Sequence, residues 1–433
     1  MSRNPSRART ALPLVVALAA AAPAFSADVP AAEVAALRAE IAALQARLDA
    51  IEARASDSAA APPAAEPAAE PAVVAEAPAV ETGPGLDVES ADGESSFGIG
   101  GRIHYDTYAH DTDRVSATGG SEFRRARVQV DGASGGWSYR VQAELSGRNT
   151  DLRDVYLERD LGGGTLTIGQ FKPFRSMDEL TSSNDITAME RGFGSASGFF
   201  DTRQWQQGIG WLTGLERGSF GVSAFSLRED NTARNEGWGT ALRGTWAPVL
   251  ADDRLVHLGA WYSLENGGED TPGTSVEVAY GGRRGPDALI FESLDGADFE
   301  QRSAGLEFAG VRGGFHWQGE WSRATVAGAL GDGRLEAAYL QAGWLFGGVR
   351  EYDVGEGVFG SPADIGGGLW EVVARVDRIR LRNAADVEAR RVVLGANWYV
   401  NEQLRFMLNW TQGEDVATGD EPSQLALRAQ YVF

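Results

Sequence analysis

Residues Gly169–Arg191 read GQFKPFRSMDELTSSNDITAMER. The run before them, Gly164 to Ile168 (GTLTI), alternates apolar and polar as a strand does, and Trp205 opens another such run. Between the two, the chain leaves strand pattern and turns rich in Ser, Thr, Asn and Asp. A long polar excursion between neighbouring strands is costly in a soluble sandwich, where connections are short. In a water-filled β-barrel it has a natural place, folded back into the lumen, where it sets the width and charge of the opening.

The flanks support the barrel. From Phe97 to Phe433 the texture is uniform: alternating runs separated by turn-like clusters. In Trp137–Leu145, Trp137, Tyr139, Val141, Ala143 and Leu145 share one face, and Ser138, Arg140, Gln142 and Glu144 the other. Arg390–Trp398, Leu404–Thr411 and Gln424–Phe433 repeat the pattern. Aromatics gather at strand ends (Trp137, Trp370, Trp398, Tyr399, Trp410, Tyr431), as at membrane interfaces. The terminal Tyr431-Val432-Phe433 resembles the signal read by the outer-membrane assembly machinery, with Phe433 as the contact. Seventeen runs qualify as strands, and a closed bacterial barrel needs an even number. Val311-Arg-Gly-Gly314 reads as a tight turn, which makes Gln301–Gly310 a descending strand and puts Thr274–Tyr280 inside a long external loop near 265–300. Sixteen antiparallel strands remain. A long periplasmic connection is then required at 348–368.

Upstream, residues 1–26 have the form of a secretory signal: Arg3, Arg7 and Arg9, an apolar core from Ala11 to Ala22, and Ala24-Phe25-Ser26. Residues 27–54 hold a heptad seam of Val34, Leu37, Ile41, Leu44, Leu48 and Ile51, with Glu33/Arg38 and Arg47/Glu52 as flanking pairs. So short a helical coiled coil needs support, because helix nucleation is unfavourable; it implies self-association in the periplasm. Residues 55–96 are rich in Ala, Pro and Glu and read as a linker to the barrel at 97–433. The expected fold is thus all-β, a sixteen-stranded transmembrane barrel with a short N-terminal coiled coil.

Composition limits the chemistry. The 433 residues carry a net charge of −22 and no Cys. The acidic balance argues against a nucleic-acid partner, and the absence of Cys removes disulfides and thiolate metal sites. His104, His110, His257 and His316 are scattered, without metal spacing, and no Ser-centred nucleophile motif occurs. Neither a metal, a cofactor nor enzymatic activity is expected.

The loop GQFKPF…DELTSSNDIT…ER resembles the phosphate-selective porin O and P family. Phe123-Arg-Arg-Ala-Arg-Val128, Asp154-Val-Tyr-Leu-Glu158, Leu369–Arg375 and Asn397–Asn401 extend the likeness across residues 97–433. The resemblance implies an outer-membrane channel of a Gram-negative bacterium, a homotrimer, and a third external loop folded into the pore. It also implies phosphate passage along a ladder of Arg and Lys. Here the chain departs from the family: Lys172 is its one lysine, and from Phe97 onward 33 basic residues face 47 acidic ones.

Strand parity selects the pore residues. Arg125, Arg127, Arg140, Arg243, Arg375, Arg405 and Arg428 fall on the lumen side, and the loop adds Lys172, Arg175 and Arg191. Planar guanidinium forks suit phosphate and carboxylate. Loop acids Asp178, Glu179, Asp185 and Glu190 oppose them, giving a transverse field with modest net selectivity. The competing reading of each charge is a structural ion pair across the wall. Arg124 shares parity with the lipid face and is expected at the rim. Two further readings of the whole chain are a structural anchor that touches the cell wall through its coiled coil, and a secreted soluble β-protein.

Overall fold

Sixteen antiparallel strands pair each with the next, from Ser95–Asp111 to Ser423–Val432, and the last returns to the first, Ser423 opposite Asp111 through Val432 opposite Arg102. The sheet therefore closes without an edge, which satisfies backbone groups in a medium that offers no water. This computed structural model describes residues 46 and 79–433, apart from 83, 196, 201–202, 228–236, 268–274, 293–299, 328–331 and 385–386. The signal segment, and nearly all of the heptad and the Ala/Pro/Glu stretch, lie outside the described residues.

Turn chemistry separates the two ends of the barrel. At one end Gly135-Gly136 (φ 60° and 76°) and Gly162-Gly163 (φ 63° and 82°) close two-residue hairpins that require left-handed backbone twice in succession. Gly313 and Gly314 make the turn expected there, between Arg312 and Phe315. The long connections 172–205 and 268–299 lie at the other end. The seventeenth run is not a barrel strand: among the described residues Ser275–Ala279 pairs with Asp287–Glu292 alone, in a two-stranded sheet inside the long loop. The connection 347–368, at the tight-turn end, carries a second small hairpin, Arg350–Asp353 with Val358–Pro362.

Burial is inverted relative to a soluble protein. Leu427 is 52% exposed and the adjacent Arg428 is 1% exposed. Leu369–Leu381 alternates buried and exposed, with Trp370, Val372 and Val376 outward and Glu371, Arg375 and Asp377 inward. Trp370, Trp398 and Phe406 stack side by side on the outer surface, at ring spacings of 5.5 and 5.8 Å. A greasy outside, an aromatic girdle and a charged inside are what lipid outside and water inside demand.

One boundary moves. Residues 55–96 were expected as linker throughout, but Ala79–Thr82 pairs with Leu86–Glu89, which pairs in turn with Ser96–Ile99 at the foot of the first barrel strand. The reason is an open edge. The Phe433 N–H and C=O bond Gly101, and below that point Leu86–Glu89 is the neighbour that covers the first strand's backbone.

The apolar core sits inside the barrel. Phe193, Phe199 and Phe200 of the loop 172–205 pack with Val276, Val278 and Ile290 of the external hairpin and with wall residues Trp261 and Ile379. Met177 packs with Val358 and Phe359 of the tight-turn hairpin. Three folded-in segments thus fill part of the lumen from both ends.

Candidate pore and its constriction

The loop enters the lumen because its sequence ends one strand and starts a compact turn. Pro173 cannot donate to a ladder. Ser176, at φ 58°, caps the helical turn Met177–Leu180, its Oγ accepting from the Glu179 N–H at 3.3 Å. The Asp178 carboxylate gathers the Gly192 N–H (2.9 Å) and the Ser195 hydroxyl (2.6 Å), closing the loop on itself. Arg191 donates across the closure to the carbonyls of Asp178 and Thr181, at 2.7 and 2.5 Å.

Irregular backbone at membrane depth needs donors, and the wall arginines supply them. Arg405 donates to the carbonyls of Asn184 (3.1 Å) and Ile186 (3.0 Å). Asn397 donates to Thr187 (2.9 Å), and Arg428 to Met189 (2.8 Å). Arg375 serves Glu190 (2.7 Å), and Arg391 serves Arg191 (2.8 Å). Glu320 receives the Asp178 N–H at 2.7 Å. A guanidinium with five donors can hold a carbonyl and a carboxylate together: Arg428 also grips Asp106 through two 2.7 Å bonds, and Arg375 reaches Asp377 at 2.9 Å.

Beside this clasped loop lies a cavity of about 410 Å³, bounded by the strands from Arg102 round to Arg243, by the loop, and by the tight-turn hairpin. It meets a second void of about 470 Å³ through shared Arg140, Tyr156 and Glu158. That second void opens beneath the N-terminal hairpin, among Asp87, Glu89 and Asp131. The two voids thus adjoin along one side of the barrel, richer in basic side chains beside the loop and acidic toward the tight-turn end.

A match to the phosphate-selective porin O and P family covers residues 97–433. The chain belongs to that family. Among its relatives is porin O of Pseudomonas aeruginosa, 25% identical over 417 residues, spanning 82% of this chain and 92% of that one. An uncharacterized protein of Caulobacter vibrioides is 29% identical over 345 residues, 73% of this chain and 68% of that one. In fold the chain is similar to the anion-selective porin from Comamonas acidovorans, at a TM-score of 0.55 and 13% identity, over 78% of this chain and all of that one. The protein is an outer-membrane porin, with its tight turns at the periplasmic end.

Within this porin the expected pore residues divide. Arg125, Arg127, Arg140, Lys172, Arg191 and Arg243 line the narrow cavity, and so does Asp185. Arg127 is held by Glu144 (2.7 Å) and Arg140 by Asp131 (2.6 Å). Arg243 is bound by Glu307 (2.9 Å) and by the carbonyls of Glu356 and Gly357, both 2.6 Å. Lys172 donates to the Glu179 carbonyl at 2.5 Å. Lys172, Arg127 and Arg153 surround the Trp205 ring at 5.1, 5.2 and 4.7 Å.

Four arginines expected on the pore do not line this cavity. Arg375, Arg405 and Arg428 are spent on the loop, as described. Arg175 is fully buried against Glu265 and over the Phe200 ring at 3.6 Å. Asp178, Glu179 and Glu190 likewise lie outside it: Asp178 closes the loop, Glu179 is buried 3.9 Å from Arg175, and Glu190 takes Arg124 at 2.8 and 2.9 Å. Arg124 is thus turned inward rather than placed at the rim. The register slips between His104 and Tyr105, so His104 faces Arg125, Tyr105 faces Phe123, and Arg124 is the extra residue of a bulge.

Parity reasoning left out Arg102 and the tight-turn hairpin. Arg102 lines the cavity and bonds the hydroxyls of Ser182 (3.3 Å) and Ser183 (3.2 Å). The hairpin folds up under the loop: Arg350 donates to the Asp185 carbonyl (2.5 Å), and Ser361 to its carboxylate (2.6 Å). Its Val358 and Phe359, apolar in a connection that should be polar, were the available signal.

Proposed function

We propose that this porin passes small hydrophilic solutes with a preference for anions, through the passage narrowed by the loop 172–205. One observation carries the reading. Arg125 is buried at the cavity wall, and its Nε and Nη1 have no hydrogen-bond partner among the described residues. Next to it, Arg102 spends its bonds on neutral hydroxyls. Two guanidiniums with no carboxylate ion pair among the described residues present positive charge at the cavity wall, which favours an anion. Phosphate belongs to the accepted class through the Arg fork, although Lys172 is the chain's one lysine.

The test is the reversal potential of the purified full chain in planar bilayers under a KCl gradient, repeated with phosphate replacing chloride. The expected sign is anion preference. One unit charge about 5 Å from the path is worth about 1–3 kcal/mol between a protein-like and a watery dielectric. Arg125→Gln should therefore reduce the preference severalfold; a cation-selective wild type would end the reading.

A homotrimer, recognition of Phe433 by the assembly machinery, and a periplasmic coiled coil complete the proposal. A second reading, a structural anchor in contact with the cell wall, draws on the hairpin at Ala79–Glu89, which roots the N-terminal extension at the periplasmic foot of the barrel. Unchanged wall association and envelope integrity after deletion of residues 28–96 would reject the anchor. Monomeric migration of the unheated protein would reject the trimer.

A further inference from the structure

The narrow cavity is lined by both charged and apolar side chains. Along Gln206–Leu215 the lumen-facing positions are Gln206, Gly208, Gly210, Leu212 and Gly214, so Leu212 is the one bulky apolar side chain turned inward there. It meets Phe174 in front of Gly221, where an added Cβ would touch both. Phe174 lies 5.9 Å from Phe171, and Gly210 leaves room for both rings: a Cβ there would stand 3.0 Å from each. Leu180 of the loop and Phe359 of the tight-turn hairpin also line the same cavity. Phe174, Leu180 and Leu212 are half-buried, so this apolar surface meets lumen water.

Lumen walls of porins are polar. A hydrated inorganic ion gains nothing from an oily wall. A contiguous apolar patch kept wet has a binding rationale only if something covers it. The same cavity holds Arg102, which bonds two serine hydroxyls, and Arg125, whose Nε and Nη1 have no hydrogen-bond partner among the described residues. A few convergent polar groups with an apolar lining, in a space of about 410 Å³, are the makings of a site for a small organic molecule.

We propose that the constriction is a subsite for an organic anion with an apolar body, an aromatic or branched carboxylate, its charge on Arg102 and Arg125 and its body on Phe174, Leu180 and Leu212. This rests on the anion preference argued above and names the solute class. It also accounts for Gly210 and Gly221 behind the rings: with no Cβ there, Phe171 and Phe174 lie back against the wall and leave width for a planar body.

Single-channel current of the full chain in KCl, titrated with acetate, butyrate, benzoate and inorganic phosphate, tests it without any variant. Half-block should fall in concentration from acetate to butyrate to benzoate, with benzoate at least about tenfold below acetate, given the gain per buried methylene. Leu212→Ser and Phe174→Ser should move benzoate toward acetate, and Arg125→Gln should weaken block by every anion. Equal block by acetate and benzoate in an anion-selective wild type overturns the apolar subsite and leaves anion preference standing. A cation-selective wild type overturns both. Benzoate block that stays strong in both Ser variants, with barrels that remain heat-modifiable, also overturns the subsite.

Discussion

Asp420 shows how much one carboxylate can organise. It lies in the last external loop, buried, and accepts from the Tyr280 hydroxyl at 2.6 Å and from the N–H groups of Arg114 and Val115 at 2.5 and 3.0 Å. Three external segments therefore converge on it. Burial raises its pKa, but the bond from Tyr280, the two N–H bonds and the Arg114 charge outweigh burial and hold it below 3.8. The folded value is depressed, so the stabilisation is complete above the unfolded pKa near 3.8 and is lost as pH falls through the folded one. Hydrogen exchange of residues 113–115 and 280 should quicken below that pH, and Asp420→Asn should remove the step; a step that persists in the variant excludes Asp420 as its source. Nothing in the sequence around Asp420 marks this convergence, because its partners lie more than a hundred residues away. Arg124 was misread for a different reason. Period-two parity is a rule about regular strands, and the bulge at Arg124 breaks it for one residue. Arg125 and Arg127, beyond the bulge, face as parity requires.

At the scale of elements, the strands were legible and the folded-in segments only partly so. Alternation fixes which residues face lipid, and turn glycines fix where strands reverse; together they put Thr274–Tyr280 in a loop and a long connection at 348–368, where the structure has the hairpin strand Ser275–Ala279 and the small hairpin Arg350–Asp353 with Val358–Pro362. What alternation cannot report is which inward charges are free. That depends on the loop carbonyls that Arg375, Arg405 and Arg428 serve, and those are set by tertiary contact. The tight-turn hairpin is the clearest case. Its Tyr352 hydroxyl bonds His257 Nδ1 at 2.6 Å, its Arg350 pairs with Glu371 at 3.4 Å, and its Phe359 abuts the cavity. It therefore narrows the passage from the periplasmic side, beneath the loop. Replacing residues 352–359 with a short glycine turn should raise single-channel conductance and weaken selectivity, while the barrel still closes through its sixteen strand pairs. Unchanged conductance would mean that the external loop alone sets the width.

For the molecule as a whole, the decisive property is which surface meets which solvent. Leu425, Leu427 and Tyr431 of the last strand are 48%, 52% and 42% exposed, while Gln424, Arg428 and Gln430 are buried. No soluble fold gains by that arrangement, since apolar burial is the main favourable term in water. In lipid the sign reverses: the outward side chains need no protein cover, and the cost falls on any charge placed among them. Leu427 sits midway along its strand, opposite Leu408 and Thr107. Leu427→Arg should cost about 2–4 kcal/mol of folding free energy in vesicles, as a charge near the bilayer midplane does. Thr165 lines the cavity instead, so Thr165→Arg adds the same side chain to water and should cost far less. Reversible denaturant titration of both variants in vesicles compares them directly. If the two costs were equal, the outward leucines would not be facing lipid, and the division of this barrel into an oily exterior and a conducting interior would fall with them.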